Sequence, residues 1–150
     1  VKLPAYQKVI SILIFLPLII SFLTSCSTSS ASGEADLSMT PLDSMPGKVK
    51  SAPLIVQQAY QFAFANPEIM QQIPCYCGCG AVGHTSNYAC YVSDMDRNGT
   101  VIYDAHALGC SICVDITQDT MRMLEQGKST SEIKSFIDQT YSQYGLSNIP

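Results

Sequence analysis

The residues able to do chemistry in this chain are its cysteines and histidines. Seven cysteines and two histidines occur in 150 residues. Cys75, Cys77 and Cys79 form the run Pro74-Cys75-Tyr76-Cys77-Gly78-Cys79-Gly80, Cys90 follows alone, and Cys110-Ser111-Ile112-Cys113 closes the set. His84 and His106 each lie within five residues of a cysteine. Thiolates bunched with imidazoles are the ligands that Cu(I) and Zn(II) select. Glycines at 78 and 80 free the backbone to wrap so that several sulfurs can face one centre. The first reading is therefore a soft-metal site drawing on Cys75, Cys77, Cys79, Cys90, Cys110, Cys113, His84 and His106.

Two other chemistries fit the same residues. Cys110 and Cys113 at the start of a helix have the form of a redox dithiol, since the positive helix terminus favours a thiolate. Alternatively, an even number of cysteines in a small exported domain can form structural disulfides. Cysteines two apart are badly shaped for pairing with each other, which weighs against a purely structural role for the Cys75–Cys79 run. Neither cysteine pair is followed by the histidine that c-type haem attachment needs. No serine or acid pairing around His84 or His106 spells hydrolysis. The metal reading is preferred, with copper ahead of zinc and a role as chaperone or buffer; the redox pair would make the chain a thiol–disulfide oxidoreductase.

Some residues invite a functional reading but have simpler explanations. Met39, Met45, Met70, Met95, Met121 and Met123 are potential Cu(I) ligands, yet Met121 and Met123 fall on a helix where packing is the default. Asp94, Asp96, Asn98 and Gly99 match the first half of a calcium-binding loop, with Val101 at its apolar position. Ala105 stands where the bidentate glutamate should be, with Asp104 one residue early. A hairpin turn explains the same residues.

The elements that must position these groups follow from periodicity and breakers. Lys2 and Lys8, the apolar run from Val9 to Leu23, and Leu23-Thr24-Ser25-Cys26 read as a secretory signal. The last four residues resemble the lipobox of bacterial lipoproteins. The expectation is cleavage after residue 25, acylation of Cys26, and attachment by lipid to the extracytoplasmic face of the cell membrane. The apolar run is shorter than the roughly 20 residues of a spanning helix. Losing Lys2 and Lys8 leaves six basic against twelve acidic side chains, a net charge of −6, which argues against nucleic-acid partners. A metal acceptor or redox protein is the expected partner.

Residues 26–51, rich in Ser, Thr, Gly and Pro, read as a flexible tether. Residues 52–150 then form one small domain. Apolar spacing predicts a helix over 53–65, and Asn66-Pro67-Glu68 caps a short second one ended by Pro74. Residues 74–87 are too rich in Gly and Cys for a regular element. Tyr88–Val92 and Thr100–Tyr103 alternate as two hairpin strands. A helix over 113–126 stops at Gly127, and Ser129 with Glu132 forms a capping box opening a last helix over 130–144. The fold class is mainly α: a small α-rich domain with one short β-hairpin and a Cys-rich loop.

The run Ile73 to Gly80, then Gly83-His84, Cys90 and His106 to Cys113, resembles the PCYCGC-motif lipoprotein family of bacteria. Tyr60-Gln61-Phe62-Ala63 and Asn66-Pro67-Glu68 are similar to that family's lead-in helix, so the resemblance covers most of residues 53–144. It implies an exported, membrane-anchored, cysteine-rich domain. The family's pattern is carried here by Cys75, Cys77, Cys79, His84, Cys90, His106, Cys110 and Cys113. The C-terminal third is also similar to the membrane-anchored thiol reductase subunit of cytochrome c maturation. Cys110-x-x-Cys113, Gly127-Lys128-Ser129, Glu132-Ile133 and Tyr144-Gly145 carry that likeness. Only 13 residues separate Cys113 from Gly127, shorter than that family's spacing; the likeness implies the redox alternative.

Overall fold

A computed structural model describes residues 37–149. The signal sequence, Cys26 and the first part of the tether lie outside the described residues. Five α-helices and one two-stranded antiparallel sheet occur among the described residues: α1 Gly47–Lys50, α2 Leu54–Ala65, α3 Pro67–Met70, β1 Val92–Met95, β2 Val101–Tyr103, α4 Ser111–Glu125 and α5 Thr130–Tyr141. The domain is α-rich with one hairpin, as the periodicity indicates. Short 3₁₀ turns at Cys79–Val82, Tyr88–Cys90, His106–Leu108 and Ser142–Tyr144 punctuate the segments between.

The core lies where α2, α4 and α5 meet, with α4 in contact with both others. Helix α2 buries Ala59, Tyr60, Phe62 and Ala63. Helix α4 buries Cys113, Val114, Ile116, Thr117, Thr120 and Met123, and α5 buries Ile133, Ile137 and Tyr141 at one-turn spacing. Two of these are threonines whose hydroxyls need partners in an apolar setting. Thr117 donates to the Cys113 carbonyl at 3.1 Å and Thr120 to the Ile116 carbonyl at 2.8 Å, each one turn back.

Local signals place most boundaries. Gly127 takes the left-handed conformation that ends α4. The Ser129 hydroxyl accepts from the Glu132 N–H, and the Glu132 carboxylate accepts from the Ser129 N–H, completing the expected capping box. Helix α5 stops at Tyr141, and residues 142–144 tighten into a 3₁₀ turn instead of continuing the helix. The hairpin sits further along the chain than its alternating residues suggest. Tyr88–Cys90 is a 3₁₀ turn, and the first strand begins at Val92. Its register pairs Val92 with Tyr103 and Met95 with Val101, with an irregularity between Val92 and Asp94. Asp96 serves the turn: its Oδ1 accepts the N–H groups of Asn98 and Thr100, both at 2.8 Å.

Two expectations need correction. Asn66 does not cap α3 with its side chain. Its Nδ2 donates instead to the carbonyls of Phe62 and Ser38, both at 2.8 Å. The second bond belongs to a larger difference, because residues 37–51 are not a tether. Thr40 exchanges backbone hydrogen bonds with Gln61 on both sides, through its N–H to the Gln61 carbonyl at 3.0 Å and its carbonyl to the Gln61 side chain at 2.9 Å. Met45 and Val49 are buried in the core. Met45, just after the 3₁₀ turn Leu42–Ser44, and Val49 on α1 fasten the stretch, and Leu37 and Leu42 pack against the same core. Met45→Ala should therefore cost roughly 2–5 kcal/mol, seen as a lowered urea midpoint, whereas a true tether residue would leave the midpoint unchanged.

Candidate metal centre

The Cys75–Cys79 loop leaves the core at Ile73 and Pro74, both buried. It turns at Gly78, whose φ of +84° is left-handed and closed to most side chains. The turn carries Cys79 into the next 3₁₀ segment and points it back toward Cys75. Cys90 ends the 3₁₀ turn Tyr88–Cys90, and His106 opens another just beyond β2. Cys110 is the N-cap residue of α4, and Cys113 stands one turn inside. Four segments thus deliver one side-chain set.

All eight residues singled out from the sequence come together. Cys75 Sγ lies 3.5 Å from Cys77 Sγ and 3.5 Å from Cys113 Sγ. Cys77 Sγ lies 3.6 Å from Cys113 Sγ and 3.4 Å from His106 Nε2. Cys79 and Cys90 approach to 3.6 Å, and the His84 and His106 rings meet edge to face with centroids 5.0 Å apart. Sulfurs bound at about 2.3 Å around a tetrahedral ion stand roughly 3.8 Å apart, so these separations suit ligands sharing a centre. Cys75, Cys79, Cys90 and Cys113 are buried, and Cys77 and Cys110 are half-buried. The cysteines do not sort into three separate pairs, and all six are free thiols.

Such a cluster cannot ionise freely. The Cys75 thiol is held far below the ordinary thiol range by hydrogen bonds from Cys113 and then Cys90. Burial and then the Cys75 charge push up both Cys77 and Cys79. Cys113 is pushed up by its bond to Cys75, then by Cys90 and burial. The Cys113 bond pulls Cys90 down, but Cys75 and burial outweigh it and the net shift is upward. Physically, the site accommodates one negative charge among several sulfurs, because further thiolates would be like charges in a medium of low polarity. A metal cation removes that conflict by supplying the missing positive charge. The upward shift at Cys113 also runs against the acidified thiol expected from its place in the first turn of a helix.

Several residues that periodicity and motif did not single out hold the ligands in place. Asn87, Tyr91 and Thr117 form a buried web around the Cys113 carbonyl. Tyr91 Oη donates to it at 2.9 Å and Asn87 Nδ2 reaches it at 3.3 Å and Thr117 Oγ1 at 2.8 Å. Asp104 ties both histidines. Its Oδ1 accepts the His106 N–H at 2.7 Å, and its Oδ2 faces His84 Nε2 at 3.8 Å. Its own carbonyl accepts from Tyr60 Oη at 2.7 Å. The C-terminal tail crosses the cysteine loop. Asn148 accepts the Cys75 N–H through Oδ1 at 2.7 Å, donates its own N–H to the Cys75 carbonyl at 3.2 Å, and turns Nδ2 to Cys79 Sγ at 3.5 Å. Gly145 allows that crossing, since a Cβ there would stand 2.7 Å from the Tyr76 carbonyl oxygen. Asp104 was legible only as a defective calcium-loop residue, and nothing local marks Asn148.

Met45, Met70 and Met123 are core residues, and Met95 is exposed on β1. Together the fold and the donor set define a small α-rich domain with a buried Cys/His cluster able to hold a metal ion. The chain belongs to the PCYCGC family, described as a protein of unknown function with PCYCGC motif, whose model it matches over residues 19–148. No curated protein and no solved structure matches it significantly.

Removing the Asn148 side chain would strand the buried Cys75 N–H. Asn148→Ala should cost roughly 1–3 kcal/mol and speed hydrogen exchange at the Cys75 amide more than at the amides of α4 and α5.

Proposed function

We propose that this chain is an extracytoplasmic lipoprotein, anchored through a lipidated Cys26, whose Cys/His cluster binds a soft metal, Cu(I) ahead of Zn(II), as a chaperone or buffer. The observation that carries the metal reading is the convergence of six sulfurs and two imidazoles from four chain segments within ligand-to-ligand distances. Sulfur outnumbers nitrogen three to one in that set, and soft thiolates favour Cu(I). The address follows from the N-terminal residues alone: a short basic start, an apolar run, and a cysteine after two small residues. Outside the cytosol cysteines stay reduced when they are liganded or cycled and otherwise pair as disulfides, and ligation fits a cluster of this shape. The partner would be a protein or small thiol that accepts the metal.

The test is direct. The full chain, reduced and handled anaerobically, should bind Cu(I) in competition with a chromophoric chelator. Replacing Cys75, Cys77 and Cys79 together by Ser should weaken that binding by at least two orders of magnitude. Equal retention by the two proteins would refute the metal reading.

One observation favours a second reading. Cys110, half-buried, lines a cleft of about 300 Å³ whose other walls include Ile55, Val56, Leu108 and Val114. An apolar cleft beside the first cysteine of a Cys-x-x-Cys pair is where a substrate thiol could dock. If Cys110 and Cys113 form a working redox couple, their potential should fall at about −270 to −120 mV. A value under about −300 mV marks an inert bridge, and redox titration by thiol alkylation decides between them.

A further inference from the structure

The number of ligands exceeds what one ion uses. A tetrahedral soft-metal site takes four donors, and eight converge here. They also group in a definite way. Cys77, His106, Cys110 and Cys113 offer donor atoms all within 4.8 Å of one another, and so do Cys79, His84, Cys90 and His106. The two sets share only His106. Its Nε2 lies 3.4 Å from Cys77 Sγ, which assigns it to the first set. Cys75 belongs to neither, yet it closes one group with Cys77 and Cys79 and another with Cys90 and Cys113. It therefore stands between the sets, and a thiolate, having several lone pairs, can complete the second set or bridge both.

Resting on the metal reading above, we propose that the cluster is dinuclear. One ion is held by Cys77, His106, Cys110 and Cys113, and a second by Cys79, His84 and Cys90 with Cys75 as its fourth ligand or as a bridge.

Independent geometry marks the second centre. His84 Nδ1 is buried and has no hydrogen-bond partner, while its Nε2 faces the Asp104 carboxylate at 3.8 Å. A ligating histidine typically has this form, with one nitrogen turned to the metal and the other backed by a carboxylate that orients the ring. A single ion at the first set would leave that nitrogen buried and unsatisfied. Cys79 Sγ receives the Asn148 side-chain N–H at 3.5 Å, a contact that stabilises a thiolate. The second set thus has Asn148 on Cys79 and Asp104 behind His84, with Asp104 also holding the His106 N–H of the first set. The first has the Asn87, Tyr91 and Thr117 web on Cys113.

Zn(II), which holds tetrahedral geometry, is the probe. The full chain is reduced, loaded with excess Zn(II) under anaerobic conditions, passed over a weak chelating resin, and measured for zinc per chain by elemental analysis and native mass spectrometry. Two ions are expected. The double variants Cys79→Ser/Cys90→Ser and Cys110→Ser/Cys113→Ser should each keep one, with helical circular dichroism retained to show that each is folded. Cd(II)-loaded protein should give two cadmium resonances, and this readout needs no variant. One zinc per chain and one cadmium resonance in the unaltered protein would overturn the dinuclear assignment and leave the metal reading standing. Loss of both ions from a folded double variant would overturn it equally. An unaltered chain that retains neither Zn(II) nor Cu(I) would remove both readings together.

Discussion

The structure depends on one demand: six thiols and two imidazoles must meet in a space mostly closed to water. Sulfur is apolar enough to be buried as a thiol, but a buried group of thiols resists ionising because each new charge meets the last. The demand shapes the chain between Pro74 and Cys113. Ligands two residues apart at Cys75, Cys77 and Cys79 rule out a helix, whose side chains two apart point to different faces. They also rule out a strand facing all three inward while keeping Tyr76 buried. The part from Cys75 to Gly83 is therefore irregular, with left-handed glycines at 78 and 83 bounding a 3₁₀ turn over Cys79–Val82. The regular helices stand on the other side of the cluster, where α4 donates its first turn and α2 and α5 supply the apolar mass.

A segment with so little regular structure must satisfy its backbone by other means. Side chains do that here. Asn148 and Asn87 occupy backbone groups of Cys75 and Cys113, and Asp104 takes the His106 N–H. Tyr60 and Tyr91, packed edge to face at 4.9 Å, each place a hydroxyl on a carbonyl of the site. Burial raises both tyrosine pKa values, which keeps these hydroxyls neutral donors. The cluster residues are thus held largely by bonds to their main chain.

What the sequence made legible follows from how local each signal is. Helices α2, α4 and α5 are read from one-turn periodicity and from Gly127 and Ser129, all within a few residues of the elements they define. The eight donors are legible because their types are rare and their spacing is short. The contacts that position them are not local. Asn148 lies 73 residues from Cys75, and Tyr60 is 44 residues from Asp104. An asparagine near a chain end carries no pattern that distinguishes a clamp from a solvated side chain. Residues 37–51 misled for a related reason. Composition averages over a window, and the apolar residues of 37–51 are scattered among polar ones, although Met45 and Val49 are buried and Leu37 and Leu42 pack against the core.

Burial is uneven across the cluster, and that bears on exchange. Cys75, Cys79, Cys90 and Cys113 are sealed, while Cys77, His84, His106 and Cys110 remain partly exposed. A metal leaves a thiolate site by ligand substitution, in which an incoming donor attaches before an old one departs. Only a partly exposed ligand can be replaced in this way. Three of these four, Cys77, His106 and Cys110, belong to the first ligand set, so under the metal reading that set is the more exchangeable face. Cys79 and Cys90, behind the C-terminal tail, face the interior. The apolar cleft at Cys110 lies on the same accessible side, so a partner seated there would meet a half-buried cysteine of that set. Under the two proposed readings, metal ligation and thiol attack by Cys110 would exclude each other at any moment, because a sulfur bound to a metal is not free to attack a disulfide.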